Sequence, residues 1–85
     1  MITISHVILS PQGLHARPIA QLCRCALDHA SAITVATRGN EADARDMVAL
    51  MGLDARAGDE LIITVEGPDE ESCAAAIREL CATAL

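Results

Sequence analysis

Residues 60–66 read ELIITVE, with Leu61, Ile63 and Val65 alternating against Ile62, Thr64 and Glu66. A period of two over this length predicts a strand with one face buried. Gly67-Pro68-Asp69 breaks it. A strand cannot stand alone in water, so the rest of the chain must supply neighbours and a cover for its apolar face. Residues 2–9 (ITISHVIL) are rich in β-branched types and predict a second strand, with Ile2, Ile4, His6 and Ile8 on one face. Pro11 and Gly13 end it. Residues 32–37 (AITVAT) predict a third, with Ile33 and Val35 inward. Gly39-Asn40 turns the chain into a short fourth near 41–44, where Ala42 and Ala44 face inward.

Between these strands the period changes. Residues 16–28 place Ile19, Leu22, Cys23 and Ala26 on one stripe at helical spacing. Asp46 is a good cap and Gly52 a good stop, which predicts a short helix over 47–52. Residues 69–84 predict a third helix, opened by Asp69, Glu70 and Glu71 and striped by Ala74, Ile77, Leu80, Cys81 and Ala84. The order is βαββαβα. Its simplest burial solution is an α+β fold: one four-stranded antiparallel sheet with three helices on one face.

The core of this fold has to be unusual, because the chain has no Phe, Trp or Tyr although 52% of it is hydrophobic. Ile, Leu, Val, Ala, Met and Cys must fill the interior. Eighty-five residues make one small domain, 1–85. The four cysteines lack the short knuckle spacing of structural zinc sites, and they read as small reduced packing residues. The charge is −6, with six basic residues, all of them Arg. An acidic chain without aromatic rings is a poor nucleic-acid binder. No apolar run is long enough for membrane insertion. The first ten residues lack the basic start of a secretory signal, so the expected location is the cytoplasm.

One hexapeptide concentrates the chemistry. In GLHARP, residues 13–18, Gly13 permits a tight bend and Pro18 suits the first turn of a helix. His15 and Arg17 stand at the junction. A neutral imidazole offers a nucleophilic ring nitrogen near neutral pH. Arg17 can present a planar fork of donors to a phosphoryl group. The backbone N–H groups of Ala16 and Arg17, at the helix start, add an anion site. Two readings fit these residues taken alone: a phosphoryl acceptor with its clamp, or a surface histidine beside a surface arginine.

GLHARP resembles the phosphorylation-site motif of the HPr family, the histidine phosphocarriers of the bacterial phosphoenolpyruvate-dependent sugar phosphotransferase system. The likeness extends to RDMVALMGL at 45–53, AGDELIITVEGPDEE at 57–71, the chain length and the βαββαβα order. It implies an HPr-like open-faced sandwich and a carrier rather than an enzyme, needing no cofactor or metal of its own. It further implies that His15 accepts a phosphoryl group on Nδ1 from phosphorylated enzyme I and passes it to enzyme IIA components. Arg17 would clamp the group in both complexes. The expected carrier is monomeric. Its other partners would be regulatory proteins.

The same resemblance sorts the remaining candidates. Arg24 and Arg45, with Arg17, map onto a basic rim around a docking patch of Met47, Val48 and Met51. Leu50 is expected in the core. Arg38 and Arg78 read as solvated charges. Asp46 stands where many relatives carry a regulatory serine, and it has no hydroxyl to phosphorylate. It reads first as a helix cap, with an imperfect phosphoserine mimic as the competing reading. His6 and His29 are assigned to structure. Two other circuits use the same chemistry: the nitrogen-related branch and the dihydroxyacetone-kinase branch. A docking module without transfer is the reading from a different class, and the intact His15 speaks against it.

Overall fold

Alternation along the strands decides which side chains meet across the sheet. The computed structural model describes residues 1–85. Its elements are β1 (Ile2–Val7), α1 (Ala16–Leu27), β2 (Ala32–Thr37), β3 (Asn40–Asp43), α2 (Met47–Gly52), β4 (Glu60–Glu66) and α3 (Glu70–Ala84). The strands form one sheet in the order β1-β4-β2-β3, with every neighbouring pair antiparallel. The register places Ile4 opposite Ile63, Ile63 opposite Val35, and Val35 opposite Ala42. All four are buried, so one apolar row crosses the whole sheet. A parallel row runs from Ile2 through Val65 to Ile33. The helices cover this face with Ile19, Leu22, Ala26, Leu50, Ala74 and Ile77. The opposite face, with Thr3, Ser5, Thr34 and Thr64, is left open.

The core is aliphatic throughout, as the composition requires. Each large aliphatic chain buried contributes about 1.5–3 kcal/mol. Ala42, Ala44 and Ala74 are also fully packed. Small residues there let the helices approach the sheet without aromatic spacers. All four cysteines are free thiols, and Cys23, Cys73 and Cys81 are buried. Burial, reinforced by the neighbouring Cys25 and Asp69, pushes the Cys73 thiol up to about 11. Burial also raises Cys81.

Four boundaries differ from the sequence reading. The first helix ends at Leu27, one residue early, with Asp28 as its C-cap. The first strand stops at Val7 instead of Leu9 because its pairing slips. Ile8 N–H donates to the Asp59 carbonyl while Gly58 N–H donates back to Ile8, and Leu9 and Ser10 N–H turn to the Leu85 carbonyl. The short strand covers Asn40–Asp43, although Ala44 N–H still donates to Ile33 and Ala44 is buried as expected. The last helix begins at Glu70. Asp69 holds the cap position, but its side chain makes no capping bond. Its carboxylate instead accepts from the N–H groups of Ala30 at 3.0 Å and Ser31 at 2.9 Å, and from the Ser31 hydroxyl. The turn before α3 is thereby fastened to the connection between α1 and β2.

His6 does lie on the inward side of β1, half-buried against α3. Its Nε2 is sealed from solvent without a hydrogen-bond partner. The remaining strand-end loops are pinned by Arg38, which is no free surface charge. Its guanidinium donates to the carbonyls of Leu53 at 3.0 Å and Asp54 at 2.8 Å and pairs with Asp59.

One glycine fixes the approach to α1. Gly13 has φ +64°, and a Cβ added there would lie 2.5 Å from the Ala55 carbonyl oxygen and 2.9 Å from the Arg56 Cα. Both neighbours are backbone and cannot step aside. Leu14 N–H donates to that same Ala55 carbonyl at 2.9 Å, so the loop is held close by design of its bonding. Gly13→Ala is expected to destabilise the fold by roughly 1–3 kcal/mol, read as a lower urea midpoint.

Asp69 gives the fold an acid dependence with a definite sign. The Ser31 hydroxyl bond, then the Ala30 and Ser31 N–H bonds, hold its carboxyl below the ordinary value. A lowered folded value contributes stability above the unfolded pKa, and that stability is lost as pH falls through the folded value. The urea midpoint of the wild type should therefore drop as pH falls through the acid range in which this bonded carboxylate gains its proton. The drop should be smaller in Asp69→Ala, whose midpoint is already lower at pH 7. An equal drop in both proteins would remove Asp69 as the source.

Candidate functional site

The loop held by Gly13 delivers His15 to the first position before α1. His15 has φ −102° and ψ −175°, an extended backbone, and its ring makes no capping hydrogen bond. Its own carbonyl starts the helical ladder by accepting from Ile19 N–H at 3.1 Å. Pro18 has no N–H, so the open end of the helix is formed by the N–H groups of Ala16 and Arg17. No acidic residue stands in the first turn to occupy them.

His15 and Arg17 open onto one cavity of about 320 Å³, shared with Gln12, Gln21 and the Thr83–Ala84 end of α3. His15 is half-buried and Arg17 exposed. The ion pairs that arginines make in this chain are Arg38–Asp59 and Arg56–Asp54, so the Arg17 guanidinium is free to meet an anion in the cavity. Gln21 escaped the sequence reading, yet it lies four residues after Arg17 on the same helix face, a spacing that could have revealed it. Thr83 and Ala84 gave no such signal. Only the packing of α3 beside α1 brings them there.

The docking candidates lie on α2. Asp46 caps this helix as expected, accepting from Ala49 N–H at 3.0 Å. Leu50 is fully buried, while Met47 is 39%, Val48 79% and Met51 51% exposed. A six-residue helix can bury one side only, and the core takes Leu50. The others form an apolar surface, and thioethers suit a surface that meets more than one shape.

The basic residues separate into two groups. Arg24 sits exposed in the last turn of α1, two turns from Arg17 and about 10 Å along the axis. Arg45 is exposed, but its guanidinium is engaged by main chain. Its guanidinium donates to the carbonyls of His29 at 3.2 Å and Ser31 at 3.5 Å, and its own carbonyl accepts from the Cys23 thiol. These are unpaired carbonyls of the chain leaving α1, which a cation satisfies well.

The family model for the PTS HPr component phosphorylation site matches residues 2–83. The phosphocarrier protein HPr of Lysinibacillus sphaericus is 36% identical over 80 residues, covering 94% of this chain and 91% of that protein. Among solved structures, HPr-C-His from Thermoanaerobacter tengcongensis superposes with a TM-score of 0.90 at 29% identity, covering 98% of this chain and 93% of the other. A Mycoplasma histidine-containing phosphocarrier protein gives 0.90 at 26% identity, covering 93% and 90%. No helix is long and apolar enough to cross a membrane. With the strand order, the helix layer and the sequence match all in agreement, the chain belongs to the HPr family of the phosphotransferase system, whose members are phosphocarrier proteins rather than enzymes.

Proposed function

We propose that His15 accepts a phosphoryl group on Nδ1 from phosphorylated enzyme I and passes it to enzyme IIA components of the sugar system, in the cytoplasm. The observation that carries this reading is the uncapped imidazole of His15, sharing a cavity with Arg17 at an open helix N-terminus. The ring nitrogen donates its lone pair to phosphorus. The bond from phosphorus to the donor breaks, and its electron pair returns to the donor. The second transfer repeats this step with His15 as the leaving group. Negative charge gathers on the phosphoryl oxygens in both steps. Arg17 and the N–H groups of Ala16 and Arg17 supply positive charge and donors where it gathers. Positioning and charge compensation of this kind need no cofactor.

Docking follows from the neighbouring surface. Met47, Val48 and Met51 would seat enzyme I and enzyme IIA in turn. Arg17 and Arg24 would steer their acidic surfaces, a kinetic advantage on a chain of net charge −6. Arg45 would contribute through its backbone position beside α2, since its guanidinium is occupied. In this reading the carrier works as a monomer.

Incubation with phosphoenolpyruvate and enzyme I, followed by mass measurement, should add one phosphoryl group, acid-labile and alkali-stable. His15→Ala should add none. Uptake by that variant would refute the assignment. Arg17→Ala should fold normally and lose on the order of 10²–10³ in transfer rate. Arg17→Lys should recover only part, having the charge without the fork.

Asp46 acts as a cap in this reading and not as a permanent phosphoserine. Asp46→Ala should lose about 1 kcal/mol of stability. Asp46→Ser should keep the cap and leave the rate of phosphoryl uptake nearly unchanged. A tenfold gain in Asp46→Ser at low salt, equivalent to about 1.4 kcal/mol of barrier, would establish the mimic instead.

A further inference from the structure

Where α1 gives way to β2, the fold gathers three soft ligand groups that are dispersed in the sequence. Cys25 and His29 lie four residues apart across the end of α1, and Cys73 comes from the first turns of α3. One ligand atom from each lies within 4.8 Å of the other two. Cys25 Sγ is 3.8 Å from His29 Nδ1. Cys73 is fully buried, whereas Cys25 and His29 are half-buried, so the group has a closed floor and an open side.

His29 Nδ1, the ring nitrogen beside Cys25 Sγ, is also 2.7 Å from the Cys25 carbonyl oxygen. A carbonyl oxygen only accepts, so without metal the ring proton sits on Nδ1. Ligation through Nδ1 breaks this bond and moves the ring proton to Nε2. The main chain at His29 is itself held by Arg45, which donates to its carbonyl. The Asp69 carboxylate, fastened to Ala30 and Ser31, adds negative charge nearby.

We propose that Cys25, His29 and Cys73 form a binding site for a thiophilic cation, Zn²⁺, through two thiolates and one imidazole nitrogen, with the fourth position left to water. Two thiol protons pass to solvent as the two sulfur–zinc bonds form, and the thiolates balance the charge of the ion. Hard cations such as Mg²⁺ and Ca²⁺ want oxygen ligands and are not served here. Tetrahedral zinc with bonds of 2.0–2.3 Å separates its ligand atoms by about 3.6–3.8 Å. Starting from a spread within 4.8 Å, closure takes side-chain movement of about 1 Å. The site is separate from the phosphoryl chemistry. Cys25 lies ten residues beyond His15, about 15 Å along the helix axis. Bound metal would link the end of α1 to α3, and so stabilise the fold.

The test uses metal-free, reduced protein titrated with Co²⁺ and then with Zn²⁺. One equivalent of Co²⁺ should give sulfur-to-cobalt charge-transfer absorption and the visible bands of a four-coordinate ion, and Zn²⁺ should abolish both. Zn²⁺ should also raise the melting temperature. Cys25→Ser and His29→Gln should each weaken Zn²⁺ binding by roughly 100-fold or more, beyond the effect typical of losing an outer-shell partner. Both positions are half-buried, so these variants test the site even if Cys73→Ala fails to fold. Cys81→Ala and His6→Gln should bind as the wild type does, and Cys25→Ser should still take up phosphate at His15. Absence of the charge-transfer band, or its survival in Cys25→Ser and His29→Gln, would overturn the proposal. Neither result depends on whether His15 is phosphorylated.

Discussion

The carboxylate of Asp69 joins two turns that the sequence leaves 38 residues apart. By accepting from Ala30, Ser31 N–H and the Ser31 hydroxyl, it fastens the exit of α1 to the entry of α3. Ser31 is fully buried beneath it, and Gly67 approaches so closely that an added Cβ would lie 2.6 Å from the Ser31 Cα. These contacts fix how α1 lies beside α3. That relation decides where both ends of α1 point, and each end carries a cluster of chemically competent groups.

At its N-terminus α1 presents unpaired N–H groups to His15 and Arg17. At its C-terminus it leaves carbonyls, which Arg45 satisfies, and it brings Cys25 and His29 to Cys73. The helix dipole makes the first end suited to anions and the second to cations. A rigid rod with an aliphatic stripe is well matched to both tasks, because Ile19, Leu22, Cys23 and Ala26 lock its rotation against the core. The helix α2 is the opposite kind of element. It is one and a half turns long, anchored by Leu50 and the Asp46 cap, and its methionines remain outside. Stability is thus concentrated where atoms must be held in place, and adaptable surface where partners must be exchanged.

Charge follows the same division. The chain is strongly acidic, yet its arginines are not scattered. Arg38 and Arg45 bind loop carbonyls and hold backbone, while Arg17 and Arg24 keep their guanidinium groups toward solvent on one helix. A small positive region on an acidic protein attracts acidic partners at short range, while net repulsion keeps like chains apart.

The sequence alone determined the element order, the inward face of the sheet, the aliphatic core and the pairing of His15 with Arg17. All of these are local: period-two and period-3.6 patterns, Gly and Pro punctuation, and neighbours within one hexapeptide. The uses of Asp69, Arg38 and Arg45 were not legible, because each side chain prefers whichever unpaired backbone group lies nearest in space. A cap acid, a surface charge and a rim charge therefore became long-range fasteners. The strand ending at Val7 likewise depended on where Asp59 and Leu85 came to lie. Cysteine spacing suggested no ligand set, since Cys25 and Cys73 are 48 residues apart and become neighbours only when α3 packs on α1. Local pattern sets what each segment becomes. Packing decides which distant polar groups are left to satisfy one another, and no sequence period encodes that.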